Sequence, residues 1–182
     1  VQTSYFTQCS KPTLIMMKAD YNQSLRKYVK LNEFARMDLR NHSSSPSSDL
    51  SWMPYNVRLF RLPNVAEPLL LVSIASELKM FAVSDRGLTE FETKTLSGFI
   101  QDIEVNESHN TVSVLYKNKG VDLFRICVDE KQRRLTALNV IKSWNGNMFS
   151  CKHVLLTCDA YQEADHISVG LLICARTGHI CF

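Results

Sequence analysis

The sequence predicts an all-β chain, an array of four-stranded antiparallel units set one after another. Three observations carry that expectation. Residues 111–128, TVSVLYKNKGVDLFRICV, are two alternating runs about a short polar break. Comparable runs recur before and after them. The breaks between runs hold the Asn, Asp, Ser and Gly residues whose side chains cap their own backbone or which accept positive φ.

The 111–128 hairpin is the clearest element. Val112, Val114 and Tyr116 alternate with Thr111, Ser113 and Leu115, the period of two of a strand. Beyond it, Phe124, Ile126 and Val128 fall on one side and Val121 and Leu123 on the other, with Gly120 suited to a positive φ.

Taken in order, residues 1–10 give no firm signal beyond the end of an earlier strand. Thr13, Leu14, Ile15, Met16 and Met17 make a strand-length apolar run, and Asp20, Asn22 and Ser24 supply turn chemistry. For 21–39 two strands are favoured, with a helix through Leu25, Tyr28 and Val29 as the competing reading. Residues 40–51 are Ser/Pro-rich and cannot bury apolar surface, so they read as an exposed loop in which Ser45-Pro46 is the place to look for phosphorylation.

From Trp52 the rhythm is regular. In 55–62, Val57 and Leu59 oppose Phe60 and Leu62. Residues 69–75 are almost continuously apolar, as a strand buried on both faces should be. Runs at 78–83 and 88–91, about the Ser84-Asp85-Arg86-Gly87 turn, close a four-strand unit. Strands at 99–105, 111–128 and 134–141 form the next. In the last of these, Leu135, Ala137 and Ile141 alternate with Leu138 and Val140 before residues 144–147 break it. Residues 148–158 and 167–175, about a polar loop at 160–166, open a third unit.

Aligning second strands places Thr13, Leu69, Thr111 and Ile167 at equivalent points. A period near 40–50 with four short strands per repeat is the signature of a propeller blade. The segments 22–31 (NQSLRKYVKL), 119–126 (KGVDLFRI) and 177–182 (TGHICF) each combine a turn with a short strand. In this they resemble the WD-repeat β-propellers, whose mark is such a turn before a strand of the type x-Leu-Arg-x-Trp-x-Leu. The resemblance implies a partial first blade at 1–39, the exposed loop at 40–51, and about two and a half further blades at 52–182. Propellers of that family usually close with seven blades. The expectation is therefore part of a propeller, completed by further chain or by a partner, and both ends of the sequence read as cuts.

Composition bounds the function. Hydrophobic residues at 45% with 21% charged exclude a disordered chain, and no apolar run approaches the roughly 20 residues of a membrane helix. The net charge of +3 is modest but uneven: residues 1–62 hold nine Lys/Arg against four Asp/Glu, the remainder twelve against fourteen. The six cysteines (Cys9, Cys127, Cys151, Cys158, Cys174, Cys181) are irregularly spaced and several sit within apolar runs, which reads as free thiols in a reducing cytoplasmic or nuclear compartment.

Catalytic and metal chemistry find little support. Cys151, His153, Cys158, Cys174, His179 and Cys181 lack a C-x2-4-C element at each end and read as strand residues, not zinc ligands. His42, His109, His153, His166 and His179 have no nucleophile elbow near them, no G-x-G cradle exists, and Asp129-Glu130 reads as a solvated loop pair. The expectation is no enzyme, no cofactor and no membrane partner. Trp52, Trp144, Phe149 and Tyr161 lie near loops and are candidate partner anchors. Arg26, Lys27 and Lys30, with Lys131, Arg133 and Arg134, are candidate phosphate contacts should the basic N-terminal third bind nucleic acid. The favoured reading is a protein–protein interaction scaffold whose partners are other subunits of an intracellular complex.

Overall fold

Fourteen strands and no helix make up the described chain. The computed structural model describes residues 2–10, 13–38, 55–117, 120–129, 131–145, 151–163, 166–175 and 180–181, with side chains described only within 13–144. In chain order they are β1 (Gln2–Ser10), β2 (Thr13–Asn22), β3 (Lys27–Asp38), β4 (Tyr55–Phe60), β5 (Leu69–Ile74), β6 (Glu77–Ser84) and β7 (Gly87–Thr95). They continue with β8 (Ile100–Asn106), β9 (Thr111–Tyr116), β10 (Gly120–Asp129), β11 (Arg134–Asn145), β12 (Cys151–Glu163), β13 (His166–Ala175) and β14 (Ile180–Cys181). They form four antiparallel meanders: β1-β2-β3, β4-β5-β6-β7, β8-β9-β10-β11 and β12-β13-β14.

The second strands are β2, β5, β9 and β13, which begin at or beside the residues the repeat aligned: Thr13, Leu69, Thr111 and Ile167. The described residues of 21–39 hold the end of β2 and one long strand, β3, in place of the two strands expected there, and no helix. β2 and β3 pair about a tip in which Asn22 Oδ1 accepts the Leu25 amide at 3.0 Å and Arg26 takes φ 50°. Two later hairpins are built alike. Asn106 Oδ1 accepts the His109 amide at 3.1 Å and Asp129 Oδ1 accepts those of Lys131 and Gln132, with Asn110 and Arg133 in the left-handed region. His109 is thus accounted for by a turn.

Three boundaries differ from the sequence reading. Residues 2–10 are a full strand paired along their length with β2. β11 runs on through Trp144 to Asn145, because Val121 and Gly120 continue to pair with them. β12 reaches Glu163, so most of the expected polar loop at 160–166 is strand. The Ser/Pro-rich stretch 40–51 lies outside the described residues.

Alternation in the central strands assigns each side chain to one of two cores. All six residues of β5 are buried. Leu69 and Leu71 join Leu78 and Met80 of β6 in packing on Ile103, Val112, Val114, Phe124 and Ile126 of the third sheet. Leu70, Val72 and Ile74 join Phe81 and Val83 in packing on Leu14, Met16 and Met37 of the first. Phe60 goes with the former set and Val57 and Leu59 with the latter, the division read from the sequence. Full burial of such a side chain is worth about 1.5–3 kcal/mol, so these two interfaces hold the sheets together.

The sheets also meet through their first strands: β1 lies beside β4, β4 beside β8 and β8 beside β12. Within the second sheet, Glu77 and Lys79 of β6 are almost completely buried and face one another at 3.5 Å, on the side turned to the first sheet. Lys79 Nζ also reaches Thr93 Oγ1.

Two adjacent truncations separate the interfaces. Leu70→Ala and Leu71→Ala should each cost about 2–5 kcal/mol by urea denaturation. In hydrogen exchange, Leu70→Ala should deprotect the first and second sheets, and Leu71→Ala the second and third. Identical exchange patterns in the two variants would contradict two separate cores.

Candidate interaction surfaces

Inner and outer strands of neighbouring sheets present different chemistry. Between the first strands β4 and β8 runs a saturated polar seam. A register shift between Ile100 and Asp102 makes Gln101 an extra residue of β8, and Asn56 Nδ2 donates to its carbonyl at 3.2 Å. The same Nδ2 and the Asn56 amide also donate to Ser73 Oγ, buried on the neighbouring strand. Arg58 is held between Asp102 at 3.3 Å and Glu104 at 3.5 Å. Its Nη1 also donates to the Val57 carbonyl at 3.2 Å, so with Nε, Nη1 and Nη2 all engaged Arg58 is committed to joining two sheets and is poorly placed to receive an anion.

The outer strands β7 and β11 are less complete. Each carries bulges, which insert one residue and re-aim its side chain. In β7 the shift opposite Met80/Phe81 makes Phe91 the extra residue. In β11 the shifts opposite Cys127/Val128 and Leu123/Phe124 make Thr136 and Ile141 the extra residues. The first β11 bulge brings both Leu135 and Leu138 into the core, although simple alternation separates them. The second leaves Val140 and Ile141 about half exposed, at 53% and 44%.

Phe91 and Thr136 line a groove of about 490 Å³ together with Val65, Leu69, Ala82 and Leu135, flanked by Glu67 and Arg134. Its volume lies in the range of binding clefts. Just beyond it, Glu92 of β7 bridges the sheets: its Oε2 accepts the Leu138 amide at 2.8 Å while Oε1 meets Lys94 Nζ at 2.9 Å.

The predicted site residues scatter over this framework. Arg26 and Lys27 lie at the β2–β3 tip and Lys30 on β3, all exposed in the first sheet. Lys131, Arg133 and Arg134 are exposed at the β10–β11 tip of the third sheet, so the two basic groups belong to separate hairpins. Trp144 is half-buried near the end of β11, with Lys142 Nζ 6.0 Å from its ring centroid. Trp52 and Phe149 lie outside the described residues, as does the side chain of Tyr161. So do the side chains of Cys151, His153, Cys158, Cys174 and Cys181, and His179 altogether. Among the described residues no three His, Cys, Asp or Glu side chains converge as a metal site. Cys127 is a free thiol whose Sγ accepts from Asn139 Nδ2 at 3.6 Å.

Sequence reasoning missed Phe91, Glu92, Thr136 and Ile141. The available signal was the Val140-Ile141 pair, two adjacent apolar residues that an alternating strand cannot bury on one face.

In the third sheet, Tyr116 Oη donates to Asp122 Oδ2 at 2.6 Å. Burial, then the bond to Asp122 and its negative charge, push the phenol well above its ordinary range.

No family model matches the chain, and no curated protein matches it. Among solved structures it is similar to a functionally unknown protein from Desulfotomaculum acetoxidans DSM 771. The identity is 9% and the TM-score 0.38, covering 97% of this chain and 69% of that one.

Two outcomes are expected. Glu92→Ala should cost about 1–3 kcal/mol, because it leaves the Leu138 amide without its charged acceptor; an unchanged urea midpoint would show that water replaces it freely. Stability should also decline as pH rises beyond about 10, where an unfolded tyrosine ionises while folded Tyr116 keeps its proton. The native state then binds more protons, so the slope is negative, and Tyr116→Phe should make it shallower. Equal slopes in the two proteins would contradict this assignment.

Proposed function

We propose that the chain is a non-enzymatic protein–protein interaction scaffold, part of a WD-repeat-like β-propeller that serves as a subunit of an intracellular complex. The observation that carries this reading is the sequential contact of first strands: β1 with β4, β4 with β8, β8 with β12. Meanders that meet in chain order through their first strands are what blades about an axis would give, and this supports the reading. The step from blades to a scaffold is one of fold-level analogy. A half-buried free thiol in an apolar strand, Cys127, is compatible with a reducing compartment.

The exposure of Arg26, Lys27 and Lys30 keeps nucleic-acid binding by the N-terminal third as the competing reading. Affinity purification of the native protein at two salt concentrations separates the two. A scaffold should retain a stoichiometric protein set at high salt. Recovery of nucleic acid alone, lost steeply as salt rises, would replace the scaffold reading with the competing one.

A further inference from the structure

Three features meet in the outer strand β11. It is an edge, paired only with β10. It displays Val140 and Ile141 to solvent, and it forms one wall of the groove over Phe91, Leu135 and Thr136. Edge strands that remain single are normally blunted by charge or bulges, because they template pairing with another chain. In β11 blunting is confined to the bulges at Thr136 and Ile141 and to Glu92 on the amide of Leu138, and the strand continues to Asn145.

Positive charge predominates among the described residues of this edge. Arg125, Lys131, Arg133, Arg134 and Lys142 are all exposed on the β10–β11 hairpin, and none is in an ion pair among the described residues. Two of the hairpin's acids are held in hydrogen bonds. Asp129 is turned onto the amides of Lys131 and Gln132, and Asp122 accepts from Tyr116. On the far wall, Glu67 stands against Arg134 as a flank of opposite sign, and Glu92 is already matched with Lys94. The surface therefore offers apolar purchase in the groove and at Val140-Ile141, bordered by an excess of positive charge along β11.

We infer that this rim is a docking site for an extended acidic segment of a partner protein. The segment lies along β11, seats an aliphatic or aromatic side chain over Phe91 and Leu135, and sets its carboxylates against Arg134, Arg133 and Lys142. This inference rests on the scaffold reading and specifies its binding surface. Main-chain pairing with a strand edge supplies affinity, and the groove with its charged border supplies the selection.

The test is to pan a displayed library of random peptides on the full chain, then measure the selected peptide in synthetic, fluorescent form. The expected consensus has acidic residues flanking an apolar one. Arg134→Glu and Val140→Lys should each weaken its binding by about tenfold or more, corresponding to about 1.4 kcal/mol. Arg36→Glu, on a different sheet, should leave it unchanged. Both rim side chains are exposed, so unaltered thermal unfolding is expected of either variant. A consensus without acids would overturn the proposal, as would affinity indifferent to Arg134→Glu or equal displacement by single-stranded RNA. If purification of the Arg134→Glu and Val140→Lys variants still recovers the full salt-resistant protein set, the rim assignment fails while the scaffold stands. If the unaltered protein recovers none, the scaffold reading itself fails.

Discussion

The whole arrangement depends on the burial of β5 on both faces. A sheet whose second strand reads Leu-Leu-Leu-Val-Ser-Ile cannot present either side to water. Leu69 and Leu71 demand a neighbour on one face, and Leu70, Val72 and Ile74 demand one on the other. The third sheet meets the same requirement on one side with Val112, Val114 and Phe124. On its other face Leu115, Val121 and Leu123 are buried too. Stacking of successive meanders follows from two-sided strands, and each sheet is stable only through its neighbours.

Polar groups in this stack are placed where they select among possible alignments. Buried ionic groups contribute little net stability against well-packed apolar replacements, but they penalise wrong partners heavily. Arg58 between Asp102 and Glu104 fixes how β4 faces β8. Glu92 on the Leu138 amide does the same for β7 and β11. Apolar packing alone would tolerate sliding of one sheet over the next, because Leu, Val and Ile surfaces are nearly interchangeable. Inner seam and outer bridge together pin the pair at both margins.

Much of this architecture was legible in the residues. Strict alternation at 111–128 and continuous apolarity at 69–75 locate the central strands and even divide their side chains between faces. Strands are harder to delimit where they lie at margins. β1 has no clean alternation in Gln2–Ser10, and its pairing along β2 is a matter of tertiary context. The candidate surface was less accessible still. Bulges determine it, and a bulge is a mismatch between two strands: Thr136 becomes an extra residue only because Val128 pairs with Leu135 and Cys127 with Ala137. Single-strand periodicity cannot contain that information. The basic residues Lys131, Arg133 and Arg134 were visible as a cluster, but the groove beside them needed Phe91 from another sheet.

The contrast between inner and outer strands bears on where recognition can occur. At the inner seam Asn56 and Arg58 are both engaged, and Arg58 reaches three acceptors, Asp102, Glu104 and the Val57 carbonyl. Any ligand there would have to displace bonds of the same strength as those it makes. At the rim the balance is reversed. Bulges have turned apolar residues outward, the exposed basic residues of the β10–β11 hairpin are in no ion pair among the described residues, and one strand margin is unpaired. Groups that lose little on desolvation and have no internal partner are those from which a second molecule gains most. Assembly of the sheets and contact with a second molecule can thus draw on different residues, since polar contacts join the first strands β4 and β8 while β11 leaves apolar and basic groups exposed.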